Sequence, residues 1–122
     1  MPRVVLAVDD EPEVLEIVAI MLEDLGCEVV TAAGPQEALK KLASDPRIEV
    51  LFTDVEMPGM DGYELAKQAQ GVRSGLKVIV TSGRAHARTD LPMVRKPFGT
   101  EALARTMEDA TRFASPSRQD RN

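Results

Sequence analysis

Apolar residues along this chain gather in five short runs, at positions 4–8, 28–32, 50–53, 77–81 and, more weakly, 93–95. Runs of this length bounded by turn formers read as strands. Those at 4–8, 50–53 and 77–81 are nearly continuous in Val, Leu, Ile and Phe, the pattern of parallel strands covered by helices on both faces. Helical spacing fills the gaps. Pro12 suits the first turn of a helix opened by Asp10 or Glu11, with Val14, Ile17, Val18, Met21, Leu22 and Leu25 repeating at three and four before Gly26 stops it. Pro35 opens a helix over 36–43 whose stripe is Ala38, Leu39 and Leu42, and Asp45 and Pro46 break it. Asp61 or Gly62 leads into a helix over 63–70, and Thr100 caps a last one running to about Phe113, with Leu103, Met107, Ala110 and Phe113 on one face. The stretch 84–90 lacks an apolar stripe, so a helix there is short or absent. The resulting βαβαβαβ, doubtful helix, βα order predicts a doubly wound α/β domain with right-handed crossovers.

A length of 122 residues suits one core, with 43% hydrophobic and 29% charged residues. The expected domain covers 1–114, and the aperiodic polar residues 115–122 read as a disordered tail. No stretch approaches the ~20 apolar residues of a membrane helix, and residues 4–8 are too short for a signal core, which points to the cytoplasm. Met1 and the polar tail favour a stand-alone chain. A net charge of −5 argues against direct nucleic-acid binding, although Arg84, Arg88, Arg95 and Lys96 leave room for a local basic patch. The lone Cys27 reads as a small core or near-surface residue and His86 as part of a solvated loop, since neither has companions for a disulfide or a metal cluster.

In open parallel sheets, ligands bind beyond the carboxyl ends of the strands where the strand order reverses. On this chain those ends carry Asp9 and Asp10, then Asp54, then Thr81, Ser82 and Gly83, then Lys96 and Pro97. Each has a plain structural use by itself: Asp9 and Asp10 as a helix cap and turn acid, Asp54 as the start of a turn, Ser82 and Gly83 as a strand exit, Lys96 as a surface charge. Those uses do not explain why three carboxylates, a hydroxyl and an ammonium all end strands on one rim. Crowded carboxylates repel unless a cation joins them, and a hard cation with oxygen ligands is Mg²⁺. With it bound, one carboxylate can act as nucleophile toward a phosphoryl donor, and Lys96 can face a second phosphoryl oxygen.

The segments Val8-Asp9-Asp10-Glu11-Pro12, Thr53 to Gly62, Thr81-Ser82-Gly83 and Arg95-Lys96-Pro97-Phe98, in that order, resemble the response-regulator receiver family, chemotaxis-regulator-like, over residues 3–113. The resemblance implies a five-stranded flavodoxin-like sheet of order 2-1-3-4-5. It implies that Asp54 is the phosphoacceptor and that Mg²⁺ is held by Asp10, Asp54 and the Glu56 backbone carbonyl, with Asp9 on metal-bound water. Ser82 matches the hydroxyl that turns to the phosphoryl group, Lys96 the family lysine and Pro97 a proline that is usually cis. Gly83 leaves space for the phosphoryl group, and Glu56 and Arg84 stand where the acyl-phosphate lifetime is modulated. The implied partners are a sensor histidine kinase or histidine phosphotransfer protein and an unknown downstream protein. The implied activity is limited to self-phosphorylation and autodephosphorylation. An aspartate-nucleophile phosphatase is disfavoured, because its D-x-D arrangement at the first strand is absent and there is no room for a cap. Two departures stand out. Only 13 residues separate Ser82 from Lys96, and Met93 occupies the place of the usual aromatic switch residue. Reordering of residues 83–92 on phosphorylation would then replace rotation of a ring.

Overall fold

The computed structural model of the chain describes residues 2–84 and 91–113, the last two of these in backbone only. Within them the apolar runs form β1 (Val4–Val8), β2 (Glu28–Ala32), β3 (Val50–Asp54), β4 (Lys77–Ser82) and β5 (Met93–Arg95). The helices are α1 (Pro12–Asp24), α2 (Pro35–Ser44), α3 (Gly62–Val72) and α4 (Thr100–Phe113). All strand pairs are parallel and the order is β2-β1-β3-β4-β5, as expected. The short or disordered fourth helix, the setting of His86 and the polar tail fall on residues 85–90 and 114–122, outside the described residues.

The pleat of the sheet sorts the core into two layers, because successive side chains on a strand point to opposite faces. On one face Leu6, Val8, Leu51, Val78 and Val80 pack with Ala38 and Leu42 of α2 and Leu65, Ala66 and Ala69 of α3. On the other, Val5, Ala7, Phe52, Ile79 and Val94 pack with Val18 and Leu22 of α1 and Leu103, Met107 and Ala110 of α4. With apolar helices on both sides, the central strands β1, β3 and β4 are almost wholly buried.

The structure corrects several boundaries and one stripe. Ile17 is 55% exposed and does not share the buried face of α1; Leu15 packs there instead. A helix on a sheet buries an arc only somewhat wider than 100°, which Val14, Leu15, Val18, Met21, Leu22 and Leu25 already fill. Gly99, not Thr100, precedes α4, accepting the Leu103 N–H at 3.2 Å through its carbonyl. The helix α3 extends through Val72, and Arg73, just beyond it, donates to the carbonyls of Leu42, Asp45 and Ile48 at 2.7–3.1 Å. That guanidinium gathers three carbonyls where α2 ends and β3 begins.

Two glycines of α3 behave oppositely. Asp61 caps the helix through its side chain, accepting the Glu64 N–H at 2.9 Å, and the Gly62 N–H donates to the Val55 carbonyl at 2.9 Å. This seats Gly62 so tightly that a Cβ there would run into the backbone of Asp54 and Val55, whereas a Cβ on Gly71 would meet open space. Gly62→Ala is therefore expected to lower Tm by roughly 4–12 °C, the overpacking cost of ~1–3 kcal/mol. Gly71→Ala should raise Tm by a few degrees, following the ~0.5–1 kcal/mol advantage of alanine inside a helix. Thermal unfolding followed by circular dichroism checks both signs.

Candidate functional site

The rim at the carboxyl ends of β1, β3 and β4 is built by backbone constraints before any chemistry enters. The Asp9 N–H still belongs to the sheet, donating to the Ala32 carbonyl at 3.3 Å, and Asp9 Oδ1 accepts the Glu11 N–H at 2.9 Å where α1 begins. That leaves Asp9 Oδ2 facing Lys96 Nζ at 3.5 Å. Asp54 is the last residue of β3, opposite Thr81, and its Oδ1 lies 3.3 Å from Lys96 Nζ and 3.4 Å from the Glu56 N–H donor. Asp9 and Asp54 are buried, while Asp10 is exposed. Each of the three offers a carboxylate oxygen, and these oxygens lie within 4.8 Å of one another.

Lys96 is held in place from both sides. Its N–H donates to the Ser82 carbonyl at 2.9 Å, and Phe98 packs edge-on against Phe52 with ring centroids 6.1 Å apart. The Lys96–Pro97 peptide is cis. Burial works against the Lys96 charge, but attraction and hydrogen bonding to Asp54 and Asp9 outweigh it and push the ammonium up from its ordinary value. Burial raises the Asp54 carboxyl to about 6; Lys96 pulls it down and the neighbouring Asp9 pushes it further up. The pocket thus holds more negative charge than one lysine balances. Its donors are hard carboxylate oxygens, and a small divalent cation seeks that set.

At the end of β4, Ser82 is fully buried and Gly83 and Arg84 are exposed. Ser82 Oγ donates to Glu56 Oε2 at 2.5 Å, Gly83 N–H donates to Glu56 Oε1 at 3.3 Å, and Arg84 N–H donates to Ser82 Oγ at 3.0 Å. The sequence pointed to Glu56 by its place two residues after Asp54 but gave no sign that its carboxylate crosses to β4; only the adjacency of β3 and β4 reveals that. Thr81 Oγ1, at a strand end the sequence marked without giving the residue a role, is buried with no hydrogen-bond partner. Met93 packs on the α2 and α3 side of the sheet. Cys27 is half-buried at the opposite rim; burial pushes its thiol up from its ordinary value, which suits an unreactive role.

Residues 5–108 match the model of the response regulator receiver domain, and the chain belongs to that family. It is 30% identical to the transcriptional regulatory protein GlrR of Escherichia coli K12, over 98% of this chain and 29% of GlrR. Against the sensor protein GacS of Pseudomonas syringae the identity is also 30%, over 98% of this chain and 15% of GacS. The chain thus spans less than a third of either relative's length. Among solved structures, the chemotaxis protein CheY4 of Vibrio cholerae superposes with a TM-score of 0.82 at 29% identity, covering 90% of this chain and 99% of that one. The response regulator TrrA of Thermotoga maritima, solved in complex with Mg(2+)-BeF, gives 0.79 at 32% identity, with the same two coverages. This is a receiver domain of the two-component response-regulator type.

The raised Asp54 value has a thermodynamic consequence for the metal-free protein. Its carboxyl binds a proton more readily folded than unfolded, so its charge opposes folding as pH climbs from about 3.8 to about 6. Asp54→Asn removes that charge with little change of shape. In the presence of a chelator, the variant's Tm is expected to match wild type near pH 4 and to exceed it increasingly up to about pH 6, with the gap constant above. A gap that stayed flat across this range in calorimetric scans would refute the burial cost assigned to Asp54.

Proposed function

We propose that this receiver accepts a phosphoryl group on Asp54 from a sensor histidine kinase or histidine phosphotransfer protein, and signals by the protein interactions of the phosphorylated form. The observation that carries the reading is Asp54 itself: a buried carboxylate at a strand end, 3.3 Å from Lys96 Nζ and grouped with the oxygens of Asp9 and Asp10. Three carboxylates grouped on one rim are an arrangement suited to binding a small divalent cation. We assign Mg²⁺ to Asp10, Asp54 and the Glu56 backbone carbonyl, with Asp9 supporting bound water. When present, the ion supplies the positive charge that lets an anionic donor approach three carboxylates.

The reaction asked of the chain is a simple exchange. With acetyl phosphate as donor, an Asp54 oxygen attacks phosphorus, the phosphorus–oxygen bond to acetate breaks, and acetate leaves with the bonding pair. The product is an aspartyl phosphate, with no net proton change. Lys96 holds Asp54 in line and balances the developing charge on the phosphoryl oxygens. Ser82 offers its hydroxyl to one of them after transfer. Glu56, Gly83, Arg84, Met93 and Pro97 tune lifetime and switching. The chain turns over no external substrate beyond its own phosphorylation and dephosphorylation. Among the described residues no helix is long and apolar enough to cross a membrane, in keeping with a role in the cytoplasm beside the kinase. A net charge of −5 is in keeping with a protein partner downstream and not with nucleic acid.

Incubation with acetyl phosphate and Mg²⁺ is expected to add one phosphoryl mass to the wild type and none to Asp54→Asn in intact-mass spectra; equal labelling of both would remove Asp54 from its role. Lys96→Met is expected to take up the label more slowly yet fail to transmit it. The amide resonances of Leu91, Met93, Val94, Arg95 and Phe98, which should shift on phosphorylation of the wild type, stay in place in this variant. Shifts of wild-type size there would show that Lys96 has no part in transmission.

A further inference from the structure

Ser82 has one hydroxyl proton, and in the resting protein it is already committed. The parallel pairing of β3 with β4 sets Asp54 opposite Thr81, so Glu56, two residues beyond Asp54, lies beside Ser82, one beyond Thr81. Both oxygens of the Glu56 carboxylate are used there: Oε2 accepts from Ser82 Oγ at 2.5 Å and Oε1 from the Gly83 N–H at 3.3 Å. The Arg84 N–H, donating to Ser82 Oγ at 3.0 Å, fixes the hydroxyl so that its proton points to Glu56. A carboxylate paired with an O–H and an N–H in this way mimics two oxygens of a phosphoryl group, and charge-assisted bonds of this kind are about twice as strong as neutral ones.

We infer that the Glu56 carboxylate is an internal anion that occupies the phosphoryl-oxygen subsite at the end of β4, and that it must be expelled before Ser82 and Gly83 can engage a phosphoryl group on Asp54. This rests on the reading of Asp54 as phosphoacceptor. Two anions cannot share one hydroxyl proton and one N–H, so Glu56 and the phosphoryl group compete for the same pair of donors. The displaced side chain has somewhere to go: Glu56 lines an open groove of about 540 Å³ together with Pro58, Tyr63 and Arg84, where Arg84 supplies a cationic neighbour. Glu56 therefore acts as a positioning residue that keeps Ser82 in the resting arrangement.

The probe is beryllofluoride with Mg²⁺, titrated calorimetrically against wild type, Asp54→Asn, Glu56→Gln and Glu56→Ala. Glu56→Ala is expected to bind about tenfold more tightly than wild type, with Glu56→Gln between them. In a Ser82→Ala background the gain from Glu56→Ala should vanish, which a merely structural effect of Glu56 would not produce. In the protein without metal or beryllofluoride, the Gly83 amide proton should move upfield in Glu56→Ala as its acceptor is lost. Binding by wild type that requires Asp54 but is unchanged in both Glu56 variants overturns the latch alone, as does a gain that survives Ser82→Ala. Absence of binding in every protein overturns the phosphoacceptor reading and the latch with it.

Discussion

Mutual repulsion of carboxylates is the constraint around which this domain is arranged. Asp9, Asp10 and Asp54 bring three carboxylate oxygens to within 4.8 Å of one another, and Lys96 stands beside Asp9 and Asp54 as a cation. Left to themselves such side chains would swing apart into water, as exposed acids do. Two of them cannot, because burial fixes Asp9 and Asp54 at the ends of adjacent strands β1 and β3. The cost of that confinement is visible in the Asp54 carboxyl, which burial pushes up to about 6. A site in this condition gains from any positive charge that arrives.

Such crowding demands a stiff frame, and the sheet supplies it. The apolar layers on both faces leave β1, β3 and β4 no freedom to slide. Lys96 is fastened by its own N–H to the Ser82 carbonyl and by the Phe98 ring to Phe52, so its ammonium is delivered to the acids by main-chain bonding and core packing and not by its flexible stem alone. Charge and core are thus parts of one design: the residues that would repel are held by those that attract nothing but each other.

Much of this was legible in the chain before its coordinates. Continuous apolar runs marked the parallel strands, and their ends marked the rim, because a strand buried on both faces leaves only its termini for polar chemistry. Asp9, Asp10, Asp54 and Lys96 could be read from that alone. Ile17 could not: three-and-four spacing is satisfied equally by 14, 17, 21 and by 14, 18, 22, and only the position of the sheet decides which is covered. The bond from Glu56 to Ser82 was equally hidden, since it joins residues 26 apart through the adjacency of two strands. Arg73 reads as an ordinary helix-end cation until the carbonyls of Leu42, Asp45 and Ile48 are seen to converge on it.

The seat of Gly62 gives the first turn of α3 a direction of travel. The helix already rests against the main chain of Asp54 and Val55, with no room for even one more carbon. Inward motion is blocked by backbone, which does not yield as a side chain can. Whatever rearrangement starts at the end of β3 must therefore carry α3 outward or along its axis, and the sense of that motion is set by a missing methyl group and not by any attraction.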